Sequence, residues 1–183
     1  MEKPPMRLLV AYATADGSTR GVAERIAASL ASPGVAVDVE AILPALRFDD
    51  YDAFVLGSAI HGGAWLPGAV EVIEKHLDVL GSRPLWLFSV SSIGQESGAF
   101  PGLVRRAMFK ALRLPKGIAP YWPQLGPRDH HWFAGVVTRE QWGGSGDVFV
   151  KLFLGKYGDH RNWREIDAWA EQIAGELKAG AGG

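Results

Sequence analysis

Residues 14–19 read Thr14-Ala15-Asp16-Gly17-Ser18-Thr19, three hydroxyls and a glycine placed directly after an apolar run. Thr14, Ser18 and Thr19 put hydroxyl donors beside the free backbone N–H groups of a helix start, and that combination holds a phosphate. The segment is too poor in glycine for a dinucleotide fingerprint and lacks the Gly-Lys-Ser/Thr of a P-loop, so it points to a mononucleotide. The same hydroxyls also suit a simple helix cap. Deciding between the two requires knowing what else reaches the same end of the fold.

Two further small-residue stretches are candidates. Gly57-Ser58-Ala59-Ile60-His61-Gly62-Gly63-Ala64-Trp65 and Ser89-Val90-Ser91-Ser92-Ile93-Gly94-Gln95 each follow an apolar run. Small residues let the backbone come close to a flat ligand, and Trp65 is suited to stacking on one face of it. The Gly62-Gly63 turn offers backbone N–H and C=O groups to a ligand, and His61 offers a side-chain hydrogen bond. Each also reads as ordinary structure: a tight turn, a helix anchor and a solvent-facing histidine.

The elements that would position these residues alternate along the chain. Leu8-Leu9-Val10-Ala11-Tyr12 is a continuous apolar run, the pattern of a strand buried on both faces. Val22, Ile26 and Leu30 then share one helical face. Further strands are expected at Val35–Val39, Ala53–Leu56, Leu85–Phe88 and Trp132–Val137. One helix starts near Pro67 and buries Val72, Ile73, His76, Leu77 and Leu80, and another carries Val104, Ala107, Met108, Ala111 and Leu112 on one side. The last begins with Asn162 and Glu165 as a capping-box-like pair and buries Ile166, Trp169, Ala170 and Ile173. Residues 178–183 read as a frayed tail. Five apolar strands alternating with helices predict an α/β fold, a doubly wound five-stranded parallel sheet in the order 2-1-3-4-5 with helices on both faces. In such sheets ligands bind beyond the carboxyl ends of the strands, where all three candidate stretches fall.

Composition narrows the functional classes. With 183 residues, 48% apolar and 21% charged, the chain is expected to form one domain, with an ordered core over about 6–178. A net charge of −1 gives no electrostatic reason to expect nucleic acid as partner. No cysteine is present, which excludes thiolate catalysis and iron–sulfur clusters. No run reaches transmembrane length and no apolar stretch backs Met1-Glu2-Lys3-Pro4-Pro5, so a cytoplasmic location is expected. Gly57-Ser58 stands where a phosphoacceptor domain needs an aspartate, and there is no G-x-S-x-G nucleophile elbow. Adjacent His130 and His131 point to opposite faces of a strand, so no metal site is expected there.

Residues 14–19 resemble the phosphate loop of the flavodoxin family. The resemblance runs over nearly the whole chain and is strongest to the branch that contains menaquinone-dependent protoporphyrinogen oxidase. The Val55–Gly63 loop, the Phe133-Ala134-Gly135 strand and the stretch at about 138–161 carry it further. It implies FMN as cofactor, with Thr14, Asp16, Gly17, Ser18 and Thr19 on its phosphate. Ser58 to Trp65 and Ser89 to Gly94 would flank the isoalloxazine. Two departures stand out. Val90 and Ile93 occupy the second flavin loop where flavodoxins usually carry tyrosine. The chain is also nearly neutral, with Arg20, Arg25, Arg105 and Arg106, where electron-carrier flavodoxins are acidic.

The 138–161 insertion separates an enzyme from a carrier. Asp147–Tyr157 is apolar around most of a helix, carries basic Lys151 and Lys156, and lies next to Trp142. It reads either as a core helix or dimer contact, or as an interfacial helix meeting a quinone-containing membrane or covering an apolar substrate. Residues 138–146 would form a flap over the flavin side. The resemblance thus implies an FMN oxidoreductase, quinone-linked and of protoporphyrinogen dehydrogenase type. The alternative is a flavodoxin-like electron carrier docking to a redox partner protein.

Overall fold

The computed structural model describes residues 4–112, 114–140, 148 and 151–181. β1 (Met6–Ala13) is hydrogen-bonded in parallel to β2 (Val35–Ala41) on one side and to β3 (Ala53–His61) on the other. β3 folds back through Gly62-Gly63 into the two-residue arm β4 (Ala64–Trp65). β5 (Leu85–Ser91) and β6 (Asp129–Ala134) complete the parallel order β2-β1-β3-β5-β6. Apart from the β4 arm, this is the doubly wound order expected.

Alternation along each strand explains why the apolar runs are continuous. Leu8, Val10, Val55, Trp86, Phe88 and Phe133 enter a core beneath α1 (Ser18–Leu30) and the C-terminal helix (Trp163–Ala181). Leu9, Ala11, Phe54, Leu56, Leu85 and Leu87 enter a second core. That core is covered by α2 (Pro67–Glu74), α3 (Leu77–Gly81) and α5 (Trp122–Leu125).

Several expectations need correction. β3 and β5 do not stop at Leu56 and Phe88 but continue to His61 and Ser91. The small polar residues there pack as strand because their neighbours fill the space. A Cβ on Gly57 would lie 2.2 Å from the Phe88 ring, and buried Ser58 accepts the Leu66 N–H at 3.1 Å. The helix expected from Pro67 is two short helices. His76 leaves helical geometry at φ −124° while its Nδ1 hydrogen-bonds the Val72 carbonyl at 2.8 Å, and both His76 and Leu77 are only half-buried. The fifth strand begins at Asp129 and ends at Ala134. After Gly135, Val136–Val137 form β7, paired antiparallel with β8 (Gly158–Asp159). Lys178–Ala181 are helical rather than frayed.

α4 (Gly102–Ala111) departs most. None of its residues is fully buried, Ala107 and Ala111 are exposed, and Leu103 is 83% exposed. Its inner side, Val104 and Met108 with the following Leu112, packs on Ile93, Phe100, Val137 and Tyr157 instead of on the sheet. Of the expected 147–157 helix, Asp147, Phe149 and Val150 lie outside the described residues, as do Trp142 and the glycines of the expected flap. Residues 151–152 are helical, and the chain turns at Leu154 with φ 56°. Val148, Leu152 and Leu154 are exposed, which contradicts a core position for this segment. No helix among the described residues is long and apolar enough to cross a membrane.

Candidate functional site

The site begins at the end of β1. Gly17 caps α1 in the left-handed conformation (φ 87°), which only glycine adopts freely. Among the described residues, no side chain caps this helix. Thr14 instead accepts the Gly17 N–H through Oγ1 at 2.8 Å, which shapes the turn before the helix starts. The first-turn N–H groups are therefore not satisfied by a cap, and the simple-cap reading of the hydroxyls does not hold. Thr19 adds a second sign. It is fully buried, and its Oγ1 has no hydrogen-bond partner among the described residues. A buried orphan hydroxyl costs about 1–3 kcal/mol, and an anion at the helix start would relieve it. The loop fits a phosphate.

Beside this loop lies a crevice of about 430 Å³ between the carboxyl ends of β1, β3 and β5. It brings together Thr14, Ala15, Asp16 and Ser18 with Ala59, Ile60, His61, Gly62 and Gly63, and with Val90, Ser91, Ser92 and Ile93. Gly17 lines the adjoining cavity. Gly62 and Gly63 both have positive φ (57° and 77°), as a two-residue primed hairpin turn requires. The Gly63 carbonyl is engaged by the Lys116 N–H at 3.0 Å, and His61 is exposed at the rim. Ser91 Oγ bonds Ile93 at both its N–H and its carbonyl, and the Gly135 N–H donates to the Ser91 carbonyl at 2.8 Å. The third wall is thus tied to the end of β6.

Five expected residues line neither cavity: Thr19, Ser58, Trp65, Ser89 and Gly94. Trp65 is 2% exposed and belongs to the core under α2, so it cannot cover a ring face. Its indole N–H donates to Ser89 Oγ at 2.9 Å, and Ser89 Oγ in turn meets His130 Nε2 at 2.8 Å. The three anchor the β3–β4 hairpin from below. Gly94 has a packing role, since a Cβ there would lie 2.5 Å from the Ala134 nitrogen.

Burial pushes the His130 imidazole down from 6.5 to about 4, with His131 acting in the same direction and Asp129 opposing. Neutral His130 can accept the Ser89 hydroxyl proton. Below pH 6.5 the unfolded chain binds a proton at His130 that the folded chain refuses, so the His130 contribution to stability falls as pH drops from 6.5 to 4 and is constant below. The expected loss is about 3 kcal/mol. Urea midpoints over this range should show that limb, and His130→Gln should flatten it. Parallel slopes in the two proteins would remove the neutral-histidine assignment.

Sequence reasoning missed Met108, Leu112, Trp132, Gly135, Val136 and Val137, which also line the crevice. Trp132 supplies an aromatic edge from β6, a strand not expected to contribute. Thr138 and Glu140, from the stretch expected over the flavin side, line the adjoining cavity together with Arg161, which sequence reasoning missed. The arginines noted beside the loop point elsewhere: Arg20 pairs with Glu24 at 2.7 Å and Arg25 with Asp167 at 2.6 Å.

Comparison with known proteins agrees with this geometry. Residues 9–142 match the family model described as Flavodoxin domain. The protoporphyrinogen IX dehydrogenase [quinone] of Escherichia coli (strain K12) is 29% identical over 93 residues, 50% of this chain and 51% of that protein. The chain's match thus spans about half the length of the curated relatives. Among solved structures, a flavodoxin from the domain Archaea superposes with TM-score 0.54 at 16% identity, covering 94% of this chain and 99% of that one. Rubredoxin oxygen:oxidoreductase of Desulfovibrio gigas gives TM-score 0.58 at 17% identity, covering 97% of this chain and 37% of the other. With the sheet order, the β1–β3 crevice and a family match over more than half its length, this chain belongs to the flavodoxin domain family, whose fold takes FMN as cofactor.

Proposed function

We propose that the chain is an FMN-dependent oxidoreductase that dehydrogenates a large apolar substrate of the protoporphyrinogen type and passes the electrons to a quinone. The observation that carries this reading is the position of α4. Met108 on it and Leu112 just after it turn onto the crevice, facing the same space as Ile60, Ile93, Val136 and Val137. An electron carrier needs only an exposed flavin edge; an apolar wall beside the crevice suits an apolar molecule lying against the ring. The printed activity of the Escherichia coli relative supports the same substrate class.

In this reading Thr14, Asp16, Gly17, Ser18 and Thr19 hold the FMN phosphate. Ala59–Gly63 and Val90–Ile93 border the isoalloxazine. Bound FMN supplies the hydrogen transfer, and the protein positions the reactants and excludes water. Exposed Leu103, Val148, Leu152 and Leu154, with Arg106, Lys110 and Lys156 nearby in sequence, give an apolar and basic exterior that suits a quinone-bearing anionic membrane surface.

The test uses the purified full chain loaded with FMN. Oxidation of protoporphyrinogen IX should proceed faster than with free FMN at equal concentration, with a quinone reduced in step. FMN-loaded protein with no rate above free FMN would overturn this reading and leave that of an electron carrier docking to a partner protein.

A further inference from the structure

Outward of the phosphate loop lies a second cavity, of about 810 Å³, sharing Ala15, Asp16, Ser18, His61 and Val136 with the crevice. Of the residues lining it, Arg161 carries the positive charge and Asp16 and Glu140 the negative. Arg161 comes from the turn between β8 and the C-terminal helix, far along the chain from the loop it faces.

Its guanidinium is held in place. Nε and Nη2 donate to Asp159 at 2.9 and 2.6 Å, and the Trp163 ring lies 4.6 Å from the guanidinium carbon. Nη1 rests on α1, 2.5 Å from the position a Cβ on Gly21 would take. Any side chain at 21 would push the guanidinium away. Glycine inside a helix costs about 1 kcal/mol relative to alanine, and here it admits Arg161 to the first turns of α1. An independent observation points to an anion at the same helix end: Thr19 Oγ1 is buried there without a partner among the described residues. A fixed guanidinium with one edge committed to Asp159 and the other beside an uncapped helix start is a phosphate partner in waiting.

We propose that Arg161, admitted by Gly21 and braced by Asp159 and Trp163, is a ligand of the FMN phosphate and sets the preference for the phosphorylated flavin. This rests on the FMN reading above. It adds a cation to a site otherwise built from backbone N–H groups and hydroxyls.

The test is equilibrium titration of FMN and of riboflavin, by flavin fluorescence quenching, into the cofactor-free parent, Arg161→Gln, Arg161→Lys and Gly21→Ala. Arg161→Gln should weaken FMN about 10- to 100-fold and leave riboflavin unchanged. Arg161→Lys should fall between, keeping the charge without the planar fork. Gly21→Ala should lose FMN selectively while its cofactor-free thermal midpoint stays level or rises. Added salt should erode FMN affinity more in the parent than in Arg161→Gln. Equal losses of FMN and riboflavin, or no loss of either, would overturn the assignment and leave Arg161 a brace for its own turn. A parent protein that binds neither flavin would instead overturn the FMN reading itself.

Discussion

Replacing Thr19 with valine is expected to weaken FMN binding about 10- to 100-fold while leaving the cofactor-free protein at least as stable as its parent. The two side chains share shape and β-branching, so packing inside α1 is retained. What changes is the hydroxyl, which is fully buried and without a partner among the described residues. Removing an unsatisfied buried hydroxyl relieves a desolvation cost of about 1–3 kcal/mol in the cofactor-free state. Removing one that bonds a phosphate costs about as much in the complex. Stability and affinity should therefore move in opposite directions, which a purely structural threonine cannot produce. Thermal midpoints without cofactor, together with FMN and riboflavin titrations, check both halves. If FMN affinity is unchanged, the phosphate assignment of the loop fails.

Replacing Glu165 with alanine is expected to destabilise the fold by about 3–4 kcal/mol and to weaken FMN as well. The carboxylate is 4% exposed. It bonds His131 Nε2 at 3.0 Å, the Glu96 N–H at 3.2 Å and the Ser97 hydroxyl at 3.4 Å. It therefore joins β6, the C-terminal helix and the loop after β5, whose Ser91, Ser92 and Ile93 line the crevice. Alanine would take the acceptor from three donors at once, on half-buried His131 and Ser97 and on the backbone of Glu96. Glu165→Gln keeps one acceptor oxygen and should cost less than half as much. Urea unfolding of the three proteins gives the comparison. A loss below about 1 kcal/mol for the alanine variant would mean the loop is held by its own backbone bonds, Gly94 N–H to Ser97 and Gln95 N–H to Trp132.

Glu165 also shows where local sequence patterns lose their meaning. Asn162 and Glu165 have the spacing of a capping box, and one half forms: the Glu165 N–H donates to Asn162 Oδ1 at 3.4 Å. The carboxylate, however, turns to partners on other elements, among them His131, thirty-odd residues away. Trp65 gives the same lesson. Its position after a glycine turn made it look like a ring cover, whereas the second core claims its indole. Ser58 and Ser89 read as loop residues because they are small and polar, yet they are buried strand residues with satisfied hydroxyls.

Strand and helix identity were legible where the signal is local and periodic. The β1 run, the Val22–Ile26–Leu30 face and the glycine at the loop-to-helix junction determined the βα unit and its phosphate loop, because burial on both sheet faces and the needs of a helix start act over a few residues. The same signals placed the loops after the later strands at one end of the sheet. Tertiary structure alone decided what closes that end. α4 swings Met108 and Leu112 onto the crevice instead of the sheet, β6 contributes Trp132, and Arg161 reaches the loop from the far side of the insertion. None of these has a local signature, since an apolar helix face or an arginine looks the same in sequence whichever surface it meets. The chain by itself specified a glycine-capped helix start with hydroxyls beside it; only the packing of distant segments specified which charges and which apolar walls surround that helix start.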